Sequence, residues 1–368
     1  MRRVFVHIGL PKTGTSYLQT IVWAHRDELR EAGLLVPGRE RRDHLWASLE
    51  VRDDPSLRRR GRRAGQAWTV VQDAVRDWHG DALISHEFFS AATHVQARAM
   101  IEALESGGAE VHVITTTREP LGLFTSSWQE HLKNKGSTRI GRYARDVSPD
   151  PTAIWNWRSL DLRLVLDRWG PLVAPERVHV ITPPGADQPR QELWSRFCTV
   201  LGVPDDVAGP AGFTNSSMGV AEAETLRRLN KRLSGFDRAF DRGVWIRSFL
   251  ADDRLVPRGG EPFWPGAEQI AECRKRGDDA VDFVRAAGFE VIGDLESIRV
   301  PTELPDRRHP DSVTDAEVAD VALDLVADLL GEVRRLSQAQ RTSDGDSRSV
   351  AHRAQERAHQ LQDRLRRR

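Results

Sequence analysis

Residues 3–17 restrict the fold more than any other stretch of the chain. Arg3-Val4-Phe5-Val6-His7-Ile8 is a short apolar run of strand-favouring residues. It breaks at Gly9-Leu10-Pro11-Lys12-Thr13-Gly14-Thr15-Ser16, and a helical pattern follows from Tyr17 to Trp23. Strand, glycine loop and helix, in that order, form a cradle for an anion. Backbone N–H groups wrap the anion, and the helix N-terminus adds partial positive charge.

The loop differs from the nucleoside-triphosphate version, G-x-x-x-x-G-K-[ST]. Gly9 and Gly14 have the expected separation, but Thr15 stands where that pattern has lysine, and Lys12 comes three residues earlier. A lysine there reaches the anion from the near side of the loop. The order argues against a triphosphate with magnesium, and for a nucleotide with fewer phosphates bound without metal.

The rest of the N-terminal part alternates strand and helix. Leu34-Leu35-Val36-Pro37 is a short strand or connector. Residues 39–65 are polar and arginine-rich, including Arg58 to Arg63, and read as a solvated face; a rim that attracts an anionic substrate is the other reading. A helix is expected over 66–79, a buried strand over 81–89, a helix over 94–106 and a strand over 111–117. The strand at 81–89 ends in Ser85-His86-Glu87, and in parallel α/β sheets ligands meet the carboxyl ends of strands. A Trp-bearing helix over 152–169, a strand over 177–182 and a helix over 188–201 continue the pattern. The rhythm predicts a doubly wound parallel sheet flanked by helices, followed by a mainly helical C-terminal part. Helices are expected over 221–234, 266–287 and 314–338, with a loop over 251–265. Residues 339–349 are Ser/Asp/Gln-rich and read as disordered, and 350–368 as a loosely attached arginine-rich helix.

A second anchor lies at Thr116-Thr117-Arg118-Glu119-Pro120. Arginine at a strand's carboxyl end can hold a phosphate through two N–H groups, and Ser126, eight residues on, can add a hydroxyl.

Together these motifs resemble those of the sulfotransferases that use 3′-phosphoadenylyl sulfate (PAPS), in particular soluble bacterial ones. Pro11-Lys12-Thr13-Gly14-Thr15-Ser16-Tyr17 is similar to that family's 5′-phosphosulfate loop, and Arg118-Glu119-Pro120 with Ser126 to its 3′-phosphate motif. The resemblance covers about residues 3–220 and implies a P-loop NTPase-like fold. It also implies PAPS as sulfuryl donor, PAP as product, no metal, and a hydroxyl acceptor such as a sugar or glycolipid. By the same resemblance Tyr17 falls where relatives stack adenine, and Asn215 and Ser217 fall where polar groups meet the base. Lys12 falls where charge on the leaving oxygen is neutralised. The family places its catalytic base at the next strand end, as histidine in small-molecule enzymes and glutamate in carbohydrate-modifying ones. This chain has both, His86 and Glu87. Glu87 is the expected base; neighbours on a strand face opposite ways, so one of the two should face the site. The family's late Arg-Lys-Gly loop is missing, and Arg258-Gly259-Gly260 is the nearest stand-in.

The implied division is 1–300 as the sulfotransferase-like α/β domain, 301–338 as a helical extension and 339–368 as a flexible linker and charged tail. Lys+Arg and Asp+Glu are equal at 54 each over 368 residues, so no overall field draws the chain to nucleic acid. No run of about 18 apolar residues marks a membrane span. The N-terminus enters the first strand directly, so a cytoplasmic protein without a signal peptide is expected. Cys198 and Cys273 lack metal-ligand spacing. Two other functions stay open: a P-loop kinase for a small metabolite, and a nucleotide-binding module without catalysis. The sequence leaves oligomeric state unknown.

Overall fold

A computed structural model describes residues 2–185, 187–207 and 217–366, with side chains as far as residue 340. The chain divides into two units, Met1–Ser312 and Val313–Arg368.

The first unit is built on one six-stranded sheet. Its strands are β1 (Arg2–His7), β2 (Leu34–Leu35), β3 (Asp81–Ser85), β4 (Ala109–Thr116), β5 (Val178–Ile181) and β6 (Glu290–Ile292). The order is β2-β3-β1-β4-β5-β6, and every pairing is parallel. β1 is central, with Val4 beside Ala82 on one side and Val111 on the other. The chain leaves β1 for β2 and β3 on one flank, then returns to β4 on the other. Such a reversal opens a crevice at the strand ends. The near-continuous apolar runs fit a sheet covered on both faces.

The helices before the crossing to β4 are α1 (Thr15–Ala24), α2 (Arg26–Glu31), α3 (Arg41–Val51), α4 (Ala67–Asp77) and α5 (His94–Glu105). Those that follow are α6 (Pro120–Lys133), α7 (Trp157–Leu160), α8 (Leu162–Trp169) and α9 (Gln191–Leu201). Tyr17, Leu18, Ile21 and Val22 give α1 an apolar stripe. That stripe joins Phe5, Leu83 and Ile114 of the sheet and Trp194 and Phe197 of α9 in one buried cluster. Later come α10 (Val220–Asn230), the short α11 (Ala239–Asp241), a π-helix (Arg242–Leu255) and α12 (Ala267–Ala287).

Three local expectations change. Residues 39–65 are not wholly a solvated face, because α3 buries Asp43, His44 and Ser48. His44 explains why: its Nδ1 accepts from the Ser85 amide at 3.2 Å, and its Nε2 donates to the Pro37 carbonyl at 2.7 Å. The expected loop at 251–265 begins later, since the π-helix runs to Leu255 on a buried face of Ile246, Leu250, Ala251 and Leu255. The expected helix at 152–169 starts only at Trp157, and Asp161 breaks it by capping α8 through the Leu164 amide.

The second unit is one helix, α13 (Asp315–Arg366). It continues through 339–349, where composition predicts disorder. That stretch has no proline and only Gly345, so nothing in it removes a backbone donor. Among the described residues, no helix is long and apolar enough to cross a membrane.

Candidate active site

The loop after β1 has the shape of an anion cradle, and two glycines are needed to make it. Gly9 has φ +94°, and a β-carbon placed on it would lie 2.8 Å from Cβ of Glu87. Gly14 has φ +93°, and a β-carbon there would lie 2.5 Å from Cδ2 of Leu193. Either substitution would strain the backbone and push against a neighbour. Lys12 also has positive φ, at 67°. Gly14 is the N-cap of α1, and no side chain caps that end. The first-turn amides of Thr15, Ser16 and Tyr17 lack helical acceptors and are open to an anion.

A buried polar chain fixes the loop to the sheet. The Thr13 hydroxyl donates to the Leu10 carbonyl at 2.6 Å and meets the Thr116 hydroxyl at 2.7 Å. Thr116 meets His7 Nε2 at 3.2 Å, and His7 Nδ1 meets the Ser85 hydroxyl at 2.8 Å. The chain thus crosses β3, β1 and β4 at their carboxyl ends. Burial pushes the His7 pKa down to about 4, Glu87 opposing and His86 reinforcing the shift, so His7 is neutral at pH 7. Because Thr13 gives its proton to Leu10, Thr116 donates to Thr13 and accepts from His7 Nε2, and His7 Nδ1 accepts from the Ser85 hydroxyl.

Arg118 leaves the end of β4 and Ser126 lies two turns into α6. The structure brings them together: Arg118 Nη1 donates to Ser126 Oγ at 3.2 Å. Glu119 caps α6 by accepting from the Gly122 amide at 2.8 Å, and Pro120 occupies the first turn, where no donor is needed.

His86 and Glu87 part at the end of β3. Glu87 lines the cleft, whereas His86 does not. His86 Nδ1 accepts from the Phe88 amide at 3.1 Å, which puts the proton of the neutral ring on Nε2. Glu87 Oε2 accepts from Gln19 at 3.0 Å, and Gln19 in turn accepts from Arg41 at 3.1 Å. Burial raises the Glu87 pKa, but His86, hydrogen bonds from its own amide and Gln19, and the charge of Arg41 outweigh it. The carboxyl titrates below the usual range and is ionised at neutral pH.

These groups surround a cleft of about 530 Å³ at the carboxyl ends of β1, β3 and β4. Lys12, Gly14, Thr15, Ser16, Tyr17, Glu87, Arg118, Ser126 and Ser217 all line it. Pro11 and Thr13 are buried beneath the loop instead. Asn215 lies outside the described residues. Arg258 pairs with Glu222 at 3.3 Å and does not line the cleft.

Sequence reasoning missed several lining residues. Arg190 stands with its guanidinium carbon 5.9 Å from the centre of the Tyr17 ring. Arg247 enters from the π-helix, and Gln129, Glu130 and Lys133 from α6. Glu130 is buried between Lys12, at 3.2 Å, and Arg247. Burial opposes its ionisation, yet Lys12 and Arg247 hold its pKa down at about 2. The spacing of Ser126, Gln129, Glu130 and Lys133 was a usable signal, since residues three and four apart share a helix face. Of the tryptophans in the segment expected as a helix over 152–169, Trp155 lines the cleft beside Phe88, while Trp157 and Trp169 are buried. The cleft therefore carries five cations, Lys12, Arg118, Lys133, Arg190 and Arg247, against two carboxylates, Glu87 and Glu130. Among the described residues no cluster of His, Cys, Asp or Glu is placed to hold a metal.

No family model matches the chain, and no curated protein matches it. Among solved structures it is similar to a sulfotransferase from Alicyclobacillus acidocaldarius. The identity is 18%, over 58% of this chain and 87% of that one, with a TM-score of 0.40.

Proposed function

We propose that this chain is a PAPS-dependent sulfotransferase that moves a sulfuryl group to a hydroxyl acceptor, a sugar or glycolipid being the favoured class. One observation carries the reading. The β1 loop with Lys12, the Arg118–Ser126 pair and the carboxylate of Glu87 come from separate strand ends and line one cation-rich cleft.

The residues fit a nucleotide with phosphate at both ends. The uncapped start of α1 suits the 5′-phosphate, and Arg118 with Ser126 suits the 3′-phosphate. Tyr17 offers a ring for the adenine, and Ser217 a hydroxyl near it. When bound, PAPS supplies the activated sulfuryl group. Glu87, ionised at pH 7, accepts the proton of the acceptor hydroxyl. Gln19 keeps that carboxylate aimed into the cleft by donating to Oε2. Lys12 and the amides of the loop stabilise charge that builds on the leaving phosphate oxygen. Phe88 and Trp155 stand beside Glu87 with ring centres 6.5 Å apart, edge to face, and form the wall the acceptor meets. Charge stabilisation by Lys12 and arginine takes the part that a divalent ion has in a kinase.

The experiment is a calorimetric titration of PAP and of ATP, each with EDTA and with magnesium, followed by a turnover assay with PAPS and a panel of hydroxyl acceptors. PAP binding in EDTA with transfer to an acceptor supports the reading. Binding of ATP that requires magnesium points to a kinase, and PAP binding without turnover on any acceptor points to a module without catalysis.

A further inference from the structure

The C-terminal helix carries an apolar stripe left exposed by the described residues. Leu323, Val326, Leu330 and Val333 are 67%, 60%, 69% and 58% exposed. Their spacing of three, four and three residues is that of the a and d positions of a coiled coil. Leu336, also exposed, flanks the stripe at a g position. Val321 and Leu325 are buried and belong to a different face of the helix. Isolated exposed apolar residues need no explanation, but a heptad-spaced row does.

We propose that this stripe pairs with the same stripe of a second copy of the chain, the two helices running antiparallel and centred near Ala327 and Asp328. The charges flanking the seam select the partner and its direction. With Leu323 and Leu330 at a, and Val326 and Val333 at d, the e positions are Asp320, Ala327 and Arg334. Asp320 and Arg334 are exposed, and among the described residues neither has an ion-pair or hydrogen-bond partner for its side chain. In an antiparallel pair, Leu323 of one copy packs against Val333 of the other, and Val326 against Leu330. That register sets Asp320 opposite Arg334 at both ends of the seam, and Ala327 opposite its own counterpart. A parallel pair instead sets Asp315, at g, against Asp320, a repulsive contact, and leaves Arg334 facing Leu329.

The longer charge pattern agrees. Asp315, Glu317, Asp320, Asp324, Asp328 and Glu332 make the first part of the helix acidic with no Lys or Arg among them, and arginines dominate from Arg334 onward. In the antiparallel register residues 315–341 of the two helices overlap, which brings the acidic start of each helix toward Arg334, Arg335 and Arg341 of the other, whereas parallel pairing stacks like on like. The next a and d positions, Ser337 and Gln340, are polar, so the apolar seam ends there.

The test uses the full chain at several concentrations, with mass measured by light scattering after size exclusion. A dimer is expected that becomes monomeric in Leu330→Glu, with the unfolding midpoint of the first unit's sheet unchanged. Asp320→Arg and Arg334→Asp should each weaken the dimer about tenfold or more, and the double swap should restore it. Ala327→Cys should form an intermolecular disulfide readily and Leu330→Cys poorly, with the native Cys198 and Cys273 buried. A monomer at every concentration would overturn the proposal, as would a dimer untouched by Leu330→Glu. Preferred cross-linking at position 330 would overturn the antiparallel register.

Discussion

Replacing Arg118 by alanine separates the two ends of the proposed nucleotide. Arg118 donates to Ser126 at 3.2 Å and approaches Glu119 at 3.8 Å, so its guanidinium is held in place before any ligand arrives. Hydrogen bonds to a charged group contribute about 1.5–3 kcal/mol. The Arg118 side chain is 42% exposed, so solvent screening places it toward the lower part of that range, at about 2 kcal/mol. A loss of about 2 kcal/mol is roughly a 30-fold weaker Kd for PAP. Adenosine 5′-phosphosulfate lacks the 3′-phosphate and should lose less than about threefold, since its contacts lie at the β1 loop. Isothermal titration of both ligands in EDTA reads the difference directly, and raising the salt should shrink it. Equal losses for the two ligands would place Arg118 away from the 3′-phosphate and refute the assignment.

Three further outcomes are expected. Lys12→Ala should cut turnover by roughly 10²-fold or more with a smaller change in PAP affinity, measured by initial rates and titration; unchanged turnover removes Lys12 from the chemistry. Glu87→Gln keeps the shape that Gln19 holds but cannot take a proton, so turnover should fall by roughly 10²–10⁴ at near-normal PAP affinity, whereas His86→Asn should lose little rate; the reverse result makes His86 the base. Acid should destabilise the fold well above the carboxylate range: His7 and His44 titrate at about 4 when folded against 6.5 when free, both through burial. Between those values only the unfolded chain binds the protons, so stability is full above pH 6.5 and falls as pH drops toward 4. Urea melts at pH 7 and 5.5 should differ by about 2–3 kcal/mol, and identical melts would mean that these imidazoles are not buried neutral.

How much of this was readable follows the range of each interaction. The β1 loop and the Arg118–Ser126 pair are local, each within a dozen residues of one strand end, so spacing alone was enough to mark them. Alternation at a strand end said that one of His86 and Glu87 should face the cleft but not which, and both residues follow β3, which ends at Ser85. Arg190 and Arg247 were not legible, because they reach the cleft from the start of α9 and from a π-helix far along the chain. Arginine is common throughout this sequence, and nothing local distinguishes these two. The role of α3 was hidden for a different reason. Asp43, His44 and Ser48 look like surface residues in sequence, and only the Ser85 amide and the Pro37 carbonyl, which belong to other segments, make burying His44 favourable.

Glu130 raises the question of why a cleft suited to anions contains a buried carboxylate. Lys12, Arg247 and Lys133 all act on its carboxylate, and cations gathered around one point repel one another. With its pKa held at about 2, Glu130 supplies the counter-charge that lets those side chains converge before any ligand binds. It sits below them on α6, on the same face as Ser126, while Lys12 keeps about a third of its side chain exposed. An anion such as the proposed nucleotide would therefore meet cations that are already gathered and only partly neutralised. The ordering of Lys12 and Arg247 would then be a cost of folding the cleft rather than of binding that ligand, which is the benefit that preorganisation gives to affinity.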